Sequence, residues 1–325
     1  MRAVVIREPG DESVLAISER PQPELPPYHV KVRVRFAGVN RADLLQRMGV
    51  YPAPPGVSSE IPGLEYAGIV AEVGSGVSSL TPGQRVFGLV AGGAYAEFIV
   101  VHEREAVPLP EGLSEEQAAA IPEAFVTAYD ALVVRAGLRP GERVLIHAVG
   151  SGVGTAGLQI AKALGCHVTG TSRTQDKLTR ADELGLDQGL LVETPQALPS
   201  ALKAHPPFDV TLDLVGGAYV GSSLPAMNLR GRIVVVGLTG GTQSTIDLGK
   251  LLARRLNIVG TVLRSRPIEE KIEAAELLRR TLSPWLSRQM IKPVIERTFP
   301  LAEAAAAHRL LGSNNTFGKL LLSID

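Results

Sequence analysis

The sequence predicts an α/β protein in which a β-rich unit precedes a doubly wound parallel-sheet unit, and three observations support this fold class. Short strands with frequent glycine and proline dominate residues 1–124, as in a compact, mostly antiparallel β domain. Strands and helices alternate from Arg143 onward, which is typical of βαβ units. The first strand of that region runs into a glycine-rich turn, Gly150–Gly154, and then into a helix. A chain of 325 residues is long enough for two such units.

The individual elements follow from hydrophobic periodicity and capping residues. Apolar residues occupy every second position of Val30–Phe36, which predicts a strand with one buried face. A helix is expected from Ser114 to Ala136, because Ser114 and Gln117 form a capping box, with a kink at Pro122. The alternating region predicts strands at 143–147, 167–171, 210–214, 232–236 and 256–262, helices at 152–164 and 174–184, a charged helix at 267–286 and a last strand at 318–322.

Composition excludes several classes of protein. Lys plus Arg number 33 and Asp plus Glu number 33, so no basic field is available for nucleic acid or anionic lipid. Cys166 is the single cysteine, which excludes an internal disulfide or a cysteine-rich metal site and favours a reducing, cytoplasmic location. Charged residues interrupt the first twelve positions, and no long apolar run follows, so neither a secretory signal nor a membrane helix is expected.

The glycine-rich turn is the strongest chemical signal. Its residues can turn tightly and bring the backbone close to a pyrophosphate at the helix N-terminus. The spacing is not a strict G-x-G-x-x-G, but a strand before it and a helix after it favour a dinucleotide site over a tight turn without a ligand. The predicted pyrophosphate contacts are Gly150, Ser151, Gly152, Val153 and Gly154.

The end of the next strand indicates which dinucleotide binds. NAD-binding proteins present a carboxylate there to the ribose 2′-hydroxyl, whereas this chain has Ser172, Arg173 and, four residues further on, Lys177. A hydroxyl and two cations suit a 2′-phosphate, so NADP(H) is the predicted cofactor. In the alternative, both cations are solvated and Asp176 takes the carboxylate role.

Several separate segments carry a resemblance to a known family: Gly38–Asp43, Gly63–Glu65, Ala119–Pro122 with Thr127–Ala128, the glycine-rich turn, Asp213–Gly217 and Leu263–Arg266. They resemble the medium-chain dehydrogenase/reductase superfamily over essentially the whole chain, in its zinc-free quinone oxidoreductase branch. Asn40–Asp43, Ile121–Ala124 and Leu263–Arg266 look most like the tumour-suppressor-inducible quinone oxidoreductase subgroup. The resemblance implies a GroES-like catalytic domain at 1–124, a Rossmann domain at 125–262, and a return to the first domain at 263–325.

Departures from the zinc alcohol dehydrogenases predict that no metal is bound. In those relatives the position of Asn40 carries a cysteine ligand and that of Leu64 a histidine ligand, and an amide and a leucine cannot replace them on zinc. One cysteine also cannot build their structural zinc lobe. The histidines are scattered without ligand spacing and are expected to be surface or packing residues: His29, His102, His147, His167, His205 and His308.

The family implies a zinc-independent NADPH:quinone oxidoreductase that binds its acceptor in a cleft between the units. It places Tyr51, Asn40 and Thr127 around the nicotinamide and the acceptor; the alternatives are a turn tyrosine, a helix N-cap and a helix-surface threonine. Arg264 and Arg266 could instead form surface pairs with Glu269 and Glu270. The remaining residues of the cofactor bed implied by the family are Gly237, Leu238, Arg264, Ser265, Asn314 and Lys319.

Other functions share much of this pattern. Reduction of enals or enones would use the same cofactor bed, so the sequence does not separate it from quinone reduction. A nucleotide-binding, crystallin-like protein with little turnover and a zinc alcohol dehydrogenase are further alternatives. The family also implies a homodimer that pairs through the strand at 256–262, with a small-molecule acceptor as the other partner.

Overall fold

The computed structural model describes residues 1–324. They divide into two units. Unit 1 comprises residues 1–126, 263–289 and 293 onward, and unit 2 comprises residues 127–262 and 290–292. Among the described residues, no helix combines the length and the apolar character that a membrane crossing requires.

The N-terminal part of unit 1 is mostly strands. They are β1 (Arg2–Ile6), β2 (Leu15–Glu19), β3 (His29–Val39), β4 (Glu65–Val73), β5 (Arg85–Leu89), β6 (Phe98–His102) and β7 (Val107–Pro108). Helix α1 (Arg41–Arg47) lies between β3 and β4, and α2 (Glu115–Ala119) and α3 (Pro122–Tyr129) follow β7. A 3₁₀ turn covers Glu12–Val14.

Unit 2 alternates strands and helices after a π-helical continuation of α3 at Asp130–Arg135. Its strands are β8 (Arg143–Ile146), β9 (His167–Ser172), β10 (Gln188–Leu191), β11 (Phe208–Asp213), β12 (Met227–Val235) and β13 (Asn257–Gly260). Its helices are α4 (Gly152–Ala163), α5 (Gln175–Asp182), α6 (Leu198–Lys203), α7 (Ala218–Ser223) and α8 (Leu248–Arg254), with 3₁₀ turns at Pro195–Ala197 and Leu224–Ala226.

The chain then returns to unit 1. Helix α9 (Ile268–Leu277) continues through a π-helical segment at Leu278–Leu282 into α10 (Ser283–Ser287). Strand β14 (Ile295–Pro300), a 3₁₀ turn (Leu301–Glu303), helix α11 (Ala304–Gly312) and strand β15 (Lys319–Ser323) follow.

The larger sheet of unit 1 has the strand order β14-β15-β3-β4-β5-β7, and β6 also pairs with β3. All of its pairs are antiparallel except β14 with β15. Strand β15 pairs with residues 36–39 of β3, so the last strand lies beside one of the first. The core alternates along these strands, as a half-buried sheet requires, and includes Val30, Val32, Val34, Tyr66, Val86, Leu320 and Leu322.

The sheet of unit 2 is entirely parallel, with the order β10-β9-β8-β11-β12-β13. Counted along the unit this is 3-2-1-4-5-6, the doubly wound order, in which ligands bind where the order reverses. The reversal lies between β8 and β11, and the glycine-rich turn follows β8. The predicted α/β class, with a GroES-like and a Rossmann-type unit, is confirmed.

Two predicted helices differ in the structure. The helix expected over 114–136 is interrupted at Ala120–Ile121, and α3 begins at Pro122 itself. Proline lacks the N–H that a continuous helix needs but suits a first helical position, so it starts a new helix instead of kinking one. The helix expected over 267–286 is present but becomes π-helical before Pro284, which cannot donate to the preceding turn.

Several short elements lay outside the sequence prediction. They are α1, β10, α6, α7, α8, β14 and α11. Most are too short for periodicity to distinguish from loops. The predicted strands agree with the structure within a few residues at each end, apart from β12, which begins at Met227 and not at 232.

Candidate functional site

The glycine-rich turn of unit 2 connects β8 to α4. Ser151 is the N-cap of α4, and its Oγ accepts a hydrogen bond from Gly154 N at 3.1 Å. A Cβ on Gly154 would lie 2.5 Å from the carbonyl oxygen of Ala148, so a side chain does not fit there. Within residues 1–324, the N–H groups of Gly152 and Val153 have no acceptor, as in the first turn of a helix. These two donors fit an anionic group such as a pyrophosphate.

The end of β9 lies at the same edge of the sheet as this turn, because β8 and β9 are parallel neighbours. Ser172 is buried, and its Oγ accepts from Thr174 N at 3.2 Å. Arg173 is exposed, and its guanidinium makes no hydrogen bond or ion pair within the described chain. Lys177 and Asp176 both lie in the first turn of α5. The structure therefore offers a cation for a ligand here, while the roles of Lys177 and Asp176 stay predictions.

The other predicted residues of unit 2 lie on separate elements. Gly237 follows β12, and a Cβ on it would lie 2.3 Å from the carbonyl oxygen of Leu214. Leu238 is exposed, with 53% of its surface accessible. Thr127 is buried in α3, so the alternative of a helix-surface threonine is wrong. Contacts of these three residues with a cofactor remain predictions.

A buried histidine supports the strand that precedes the turn. His147 is fully buried, with Nδ1 3.1 Å from Thr171 Oγ1 and Nε2 2.8 Å from Ser223 Oγ. Its ring meets Tyr219 edge to face at 4.9 Å between centroids. Burial lowers its pKa to about 4, so the imidazole is neutral at pH 7. The prediction that His147 is a packing residue agrees with these contacts.

Unit 1 contains a buried ion pair between two residues that lie far apart in the sequence. Lys319 Nζ lies 2.5 Å from Glu65 Oε1, with side-chain exposures of 5% and 0%. The Asn40 amide joins both groups, because its Nδ2 donates to Glu65 Oε1 at 2.9 Å and its Oδ1 accepts from Lys319 Nζ. Lys319 also donates to Val39 O at 3.3 Å. All three ammonium protons thus face protein acceptors, and the predicted contact of Lys319 with a cofactor stays a prediction.

Asn40 is also the N-cap of α1, as the alternative for this residue expected, and it forms a capping box with Asp43. Asp43 closes this box, because its Oδ2 accepts from Asn40 N at 2.8 Å. The same carboxylate accepts from Gly63 N at 3.0 Å and from Tyr95 OH at 3.1 Å. Complete burial raises the pKa of Asp43 to about 6. The Asn40 side chain is therefore committed to the Glu65–Lys319 pair.

Arg264 fixes the segment that carries Tyr51. Its Nε donates to Ala91 O at 2.7 Å, its Nη1 to Tyr51 O at 3.3 Å, and its Nη2 to Gln46 Oε1. Its Cζ lies 5.2 Å from the centroid of the Tyr51 ring, a cation–π contact. Arg264 is buried, so the surface-pair alternative is wrong for it, whereas Arg266 does pair with Glu270 at 3.6 Å. The tyrosine ring is half-buried, and its position depends on this arginine.

Two further predicted residues of unit 1 have different surroundings. Ser265 is exposed beside Arg264. Asn314 has a positive φ of 60° and accepts a hydrogen bond from Arg41 Nη2 at 2.5 Å. This contact ties the turn before β15 to the start of α1. Binding of a cofactor by either residue stays a prediction.

A pocket that is open to solvent lies within unit 1 beside Arg264. Its walls combine apolar side chains with both signs of charge, and its lining residues include Leu89, Val90, Glu105, Glu123, Arg264 and Lys271. Glu123 lies in the first turn of α3, and its backbone N–H donates to Glu65 Oε2 at 2.8 Å. Burial, followed by the charge of Glu65, raises the pKa of Glu123 to about 8. The pocket therefore combines apolar surface, fixed cations and a carboxyl group that is mostly protonated at pH 7.

Two family profiles match the chain. The profile described as "Alcohol dehydrogenase GroES-like domain" covers residues 26–111, and the profile described as "Zinc-binding dehydrogenase" covers residues 152–280. The quinone oxidoreductase of Rattus norvegicus is 32% identical over 328 residues, which cover 99% of this chain and 97% of that protein. The chain belongs to the medium-chain dehydrogenase/reductase superfamily.

Solved structures of this superfamily share the whole fold. The quinone oxidoreductase of Escherichia coli complexed with NADPH superposes with a TM-score of 0.88 at 30% identity, covering 100% of both chains. The CurK enoyl reductase has a TM-score of 0.87 at 26% identity, covering 100% of this chain and 99% of that one. The spectinabilin polyketide synthase system protein NorB of Streptomyces orinoci is 34% identical over 315 residues, but this chain spans only 14% of its length. The predicted relationship to quinone oxidoreductases is confirmed, and the finer subgroup stays a prediction.

The zinc ligand positions of the superfamily hold groups that do not fit a metal here. The Asn40 amide is engaged by Glu65 and Lys319, and Leu64 is a buried apolar side chain. Among residues 1–324, no group of three or more His, Cys, Asp or Glu side chains is arranged to hold a metal ion. The donor chemistry at these positions therefore does not suit zinc.

Sequence reasoning missed three residues of unit 1. Glu65 and Asp43 stood in segments that carried the family resemblance, and Glu123 stood in the segment that indicated the subgroup, but none received a role. The signal that was available is a carboxylate inside an otherwise apolar stretch, as in Gly63-Leu64-Glu65-Tyr66-Ala67. A charge at such a position is buried only when it is paired.

Proposed function

We propose that this protein is a zinc-independent, NADPH-dependent reductase of quinones and related electrophilic carbonyl compounds. The observation that carries the proposal is Arg173, an exposed cation without a protein partner, at the sheet edge where the glycine-rich turn also lies. A 2′-phosphate distinguishes NADP(H) from NAD(H), and an uncommitted guanidinium is suited to bind it. NADPH binding by two superfamily structures of 26% and 30% identity supports the same cofactor.

The residues of unit 2 fit the dinucleotide. The free N–H groups of Gly152 and Val153 would hold the pyrophosphate, and Ser172, Arg173 and Lys177 would surround the 2′-phosphate. When bound, NADPH supplies the hydride that reduces the acceptor. The residues of this chain would orient the acceptor and supply the proton that its reduction requires.

The pocket of unit 1 supports an acceptor that is already electrophilic. Arg264 offers a cation beside the apolar walls of the pocket, and the Tyr51 ring contacts this guanidinium, an arrangement that suits a flat conjugated carbonyl compound. The donor set at Asn40 and Leu64 does not suit zinc, so no Lewis acid is assigned to polarise an unactivated ketone or alcohol. Quinones need no such activation.

Reduction of the carbon–carbon double bond of enals or enones is the second candidate. The similarity to the CurK enoyl reductase over the whole chain favours it. Both reactions take one hydride and one proton, so the same pocket serves either.

The test is NADPH oxidation by protein of measured zinc content, with 1,2-naphthoquinone, 1,4-benzoquinone and an enal as acceptors and NADH as the control donor. We expect quinone-dependent turnover with NADPH and less than stoichiometric zinc. Turnover with the enal alone would select the second candidate. Tight NADPH binding without turnover on any acceptor would support a nucleotide-binding protein, and activity that follows zinc content would support an alcohol dehydrogenase.

The proposed role of Tyr51 has its own test. Replacing Tyr51 with Ala should lower the kcat/KM for quinones and leave the Kd for NADPH nearly unchanged, because the ring lies in unit 1 beside the pocket. Unchanged quinone turnover would contradict this role. Tyr28→Ala removes an exposed tyrosine of unit 1 that does not line the pocket, so this control should leave both quantities unchanged.

We further infer a homodimer in a reducing, cytoplasmic compartment. Strand β13 is an outer strand of its sheet, with β12 as its partner, which leaves one row of backbone groups available to a second copy. Exposed Leu252 and Val262 lie beside that strand in sequence, with 79% and 48% of their surfaces accessible. A monomer in sedimentation velocity at low micromolar concentration would contradict the dimer. The compartment is inferred from Cys166, which is the single cysteine and is buried.

A further inference from the structure

Glu123 is a carboxyl group of the unit 1 pocket that has no assigned role. Its backbone is fixed, because its N–H donates to Glu65 Oε2 at 2.8 Å in the first turn of α3. Its side chain lines the pocket and is partly exposed. In the part of the chain that the structure describes, its carboxyl oxygens make no hydrogen bond or ion pair. The carboxyl group is therefore held at the pocket wall without being used in the fold.

The charges around Glu123 come from several elements. Glu65 on β4 and Asp43 on α1 disfavour its ionised form, whereas Lys319 on β15 and Arg264 favour it. Burial raises the pKa of the Tyr51 phenol, and the charge of Glu123 raises it further. Burial is the largest effect, and the sum raises the pKa of Glu123 to about 8. At pH 7 most molecules thus carry a proton on this group.

We propose that Glu123 is the proton donor to the acceptor bound in the unit 1 pocket. The proposal rests on the reductase function proposed above. Two-electron reduction of a quinone or an enone takes one hydride, which a reduced nicotinamide dinucleotide supplies, and one proton. The O–H bond of the Glu123 carboxyl breaks, and a new bond to hydrogen forms at the quinone oxygen or at the enone α-carbon. The Glu123 carboxylate that remains then takes up a proton from solvent water, because the side chain is partly exposed.

Arg264 and Glu105 in the pocket, and the Tyr51 phenol that contacts Arg264, suit this step less well. The Arg264 guanidinium already donates to three protein acceptors and does not lose a proton at neutral pH. Burial raises the pKa of the Tyr51 phenol, which weakens it as an acid. Glu105 also lines the pocket, and burial raises the pKa of its carboxyl group as well, but the charges of Lys271 and His29 oppose that shift. Glu123 lines the pocket, its carboxyl group makes no hydrogen bond in the described chain, and this group is mostly protonated at pH 7.

The experiment compares Glu123→Gln, Glu123→Asp and Glu273→Gln with the unaltered protein. Glutamine at position 123 keeps the backbone hydrogen bond to Glu65 but has no acidic proton, whereas aspartate keeps a carboxyl group. Glu273 is an exposed glutamate on α9, so Glu273→Gln is the control for replacing a carboxyl group with an amide. We expect Glu123→Gln to lower kcat by about 100-fold, the lower end for general acid catalysis. Aspartate should restore at least part of this loss, and Glu273→Gln should change nothing.

The pH profile separates proton donation from a structural role. An acid is active while protonated, so the kcat of the unaltered protein should fall as the pH rises through about 8. This decline should be absent in Glu123→Gln and shifted in Glu123→Asp. A Glu123→Gln variant with an unchanged kcat, or one that keeps the decline, would overturn the proposal.

A measurement without cofactor tests the same group independently of turnover. Infrared difference spectra of the free protein between pH 6.5 and 9.5 should show a protonated carboxyl band that disappears with rising pH and is missing in Glu123→Gln. Absence of the band in the unaltered protein would refute a protonated Glu123. An unaltered protein that shows the band but reduces no acceptor would instead refute the reductase function, and the donor role with it.

Discussion

Replacing Lys319 with Met should destabilise unit 1 strongly, because it leaves a carboxylate buried without its cation. The Lys319 and Glu65 side chains are 5% and 0% exposed, and Nζ and Oε1 are 2.5 Å apart. Removing one partner of a buried pair costs about 3–5 kcal/mol. At roughly 2–4 °C per kcal/mol for a unit of this size, the midpoint of thermal unfolding should fall by about 6–20 °C.

The double variant Lys319→Met/Glu65→Gln isolates the charge from the loss of contacts. Glutamine has the size of glutamate and can still accept from Glu123 N, so the double variant should recover more than half of the loss. Lys31→Met is a matched control in the same sheet. Its partner Glu72 is 56% exposed at 3.0 Å, and such pairs contribute about 0–1 kcal/mol. Calorimetry of the unaltered protein, Lys319→Met, the double variant and Lys31→Met tests this prediction. A loss of unfolding free energy below about 1 kcal/mol for Lys319→Met, or no recovery in the double variant, would refute a strongly stabilising buried pair.

Three further predictions concern the site and the pH dependence of stability. Arg264→Lys removes the guanidinium that holds the Tyr51 segment, so the KM for the acceptor should rise by about tenfold, equivalent to about 1.4 kcal/mol. The Kd for NADPH should stay unchanged. A selective loss of NADPH affinity would instead make Arg264 a cofactor ligand. Arg173→Ala should weaken NADPH binding far more than NADH binding in fluorescence titrations, and equal effects would count against the 2′-phosphate role. In the fold, the pKa of His147 is about 4, which is below its unfolded value. The contribution of neutral His147 to the free energy of unfolding is therefore complete above about pH 6.5 and is lost as the pH falls towards 4. The loss should reach up to about 3 kcal/mol. Chemical unfolding at a series of pH values checks this, and a His147→Gln variant with the same acid sensitivity would show that other groups cause it.

The fold was largely predictable because its signals are local. Ser114 and Gln117 cap α2 through a pair of hydrogen bonds, as their spacing predicts. The strand, glycine turn and helix at 143–164 needed only a window of about twenty residues, and the structure places β8 and α4 there. The predicted kink at Pro122 is wrong, because propensity alone does not say whether a proline bends a helix or starts one.

The contacts of the candidate site were much less predictable, because they depend on residues far apart in the chain. Asn40 and Lys319 are separated by 279 positions, and nothing near either residue indicates that they share a carboxylate. Arg264 reaches Gln46 across 218 positions, so its burial could not be distinguished from a surface pair. The family resemblance selected Asn40, Arg264 and Lys319 as site residues, but their partners required coordinates.

The position of β15 beside β3 has a consequence for how the chain acquires its fold during synthesis. Unit 1 uses residues on both sides of unit 2, so the whole of unit 2 is translated before β15 exists. At about 5–20 residues per second, the 279 positions from Asn40 to Lys319 take on the order of 15–55 s. For that interval the 36–39 edge of β3 has no β15 beside it, and Glu65 lacks its cation. The nascent chain therefore completes its second unit before its first, and β15, which is made after unit 2, completes the larger sheet of unit 1 that β3 began.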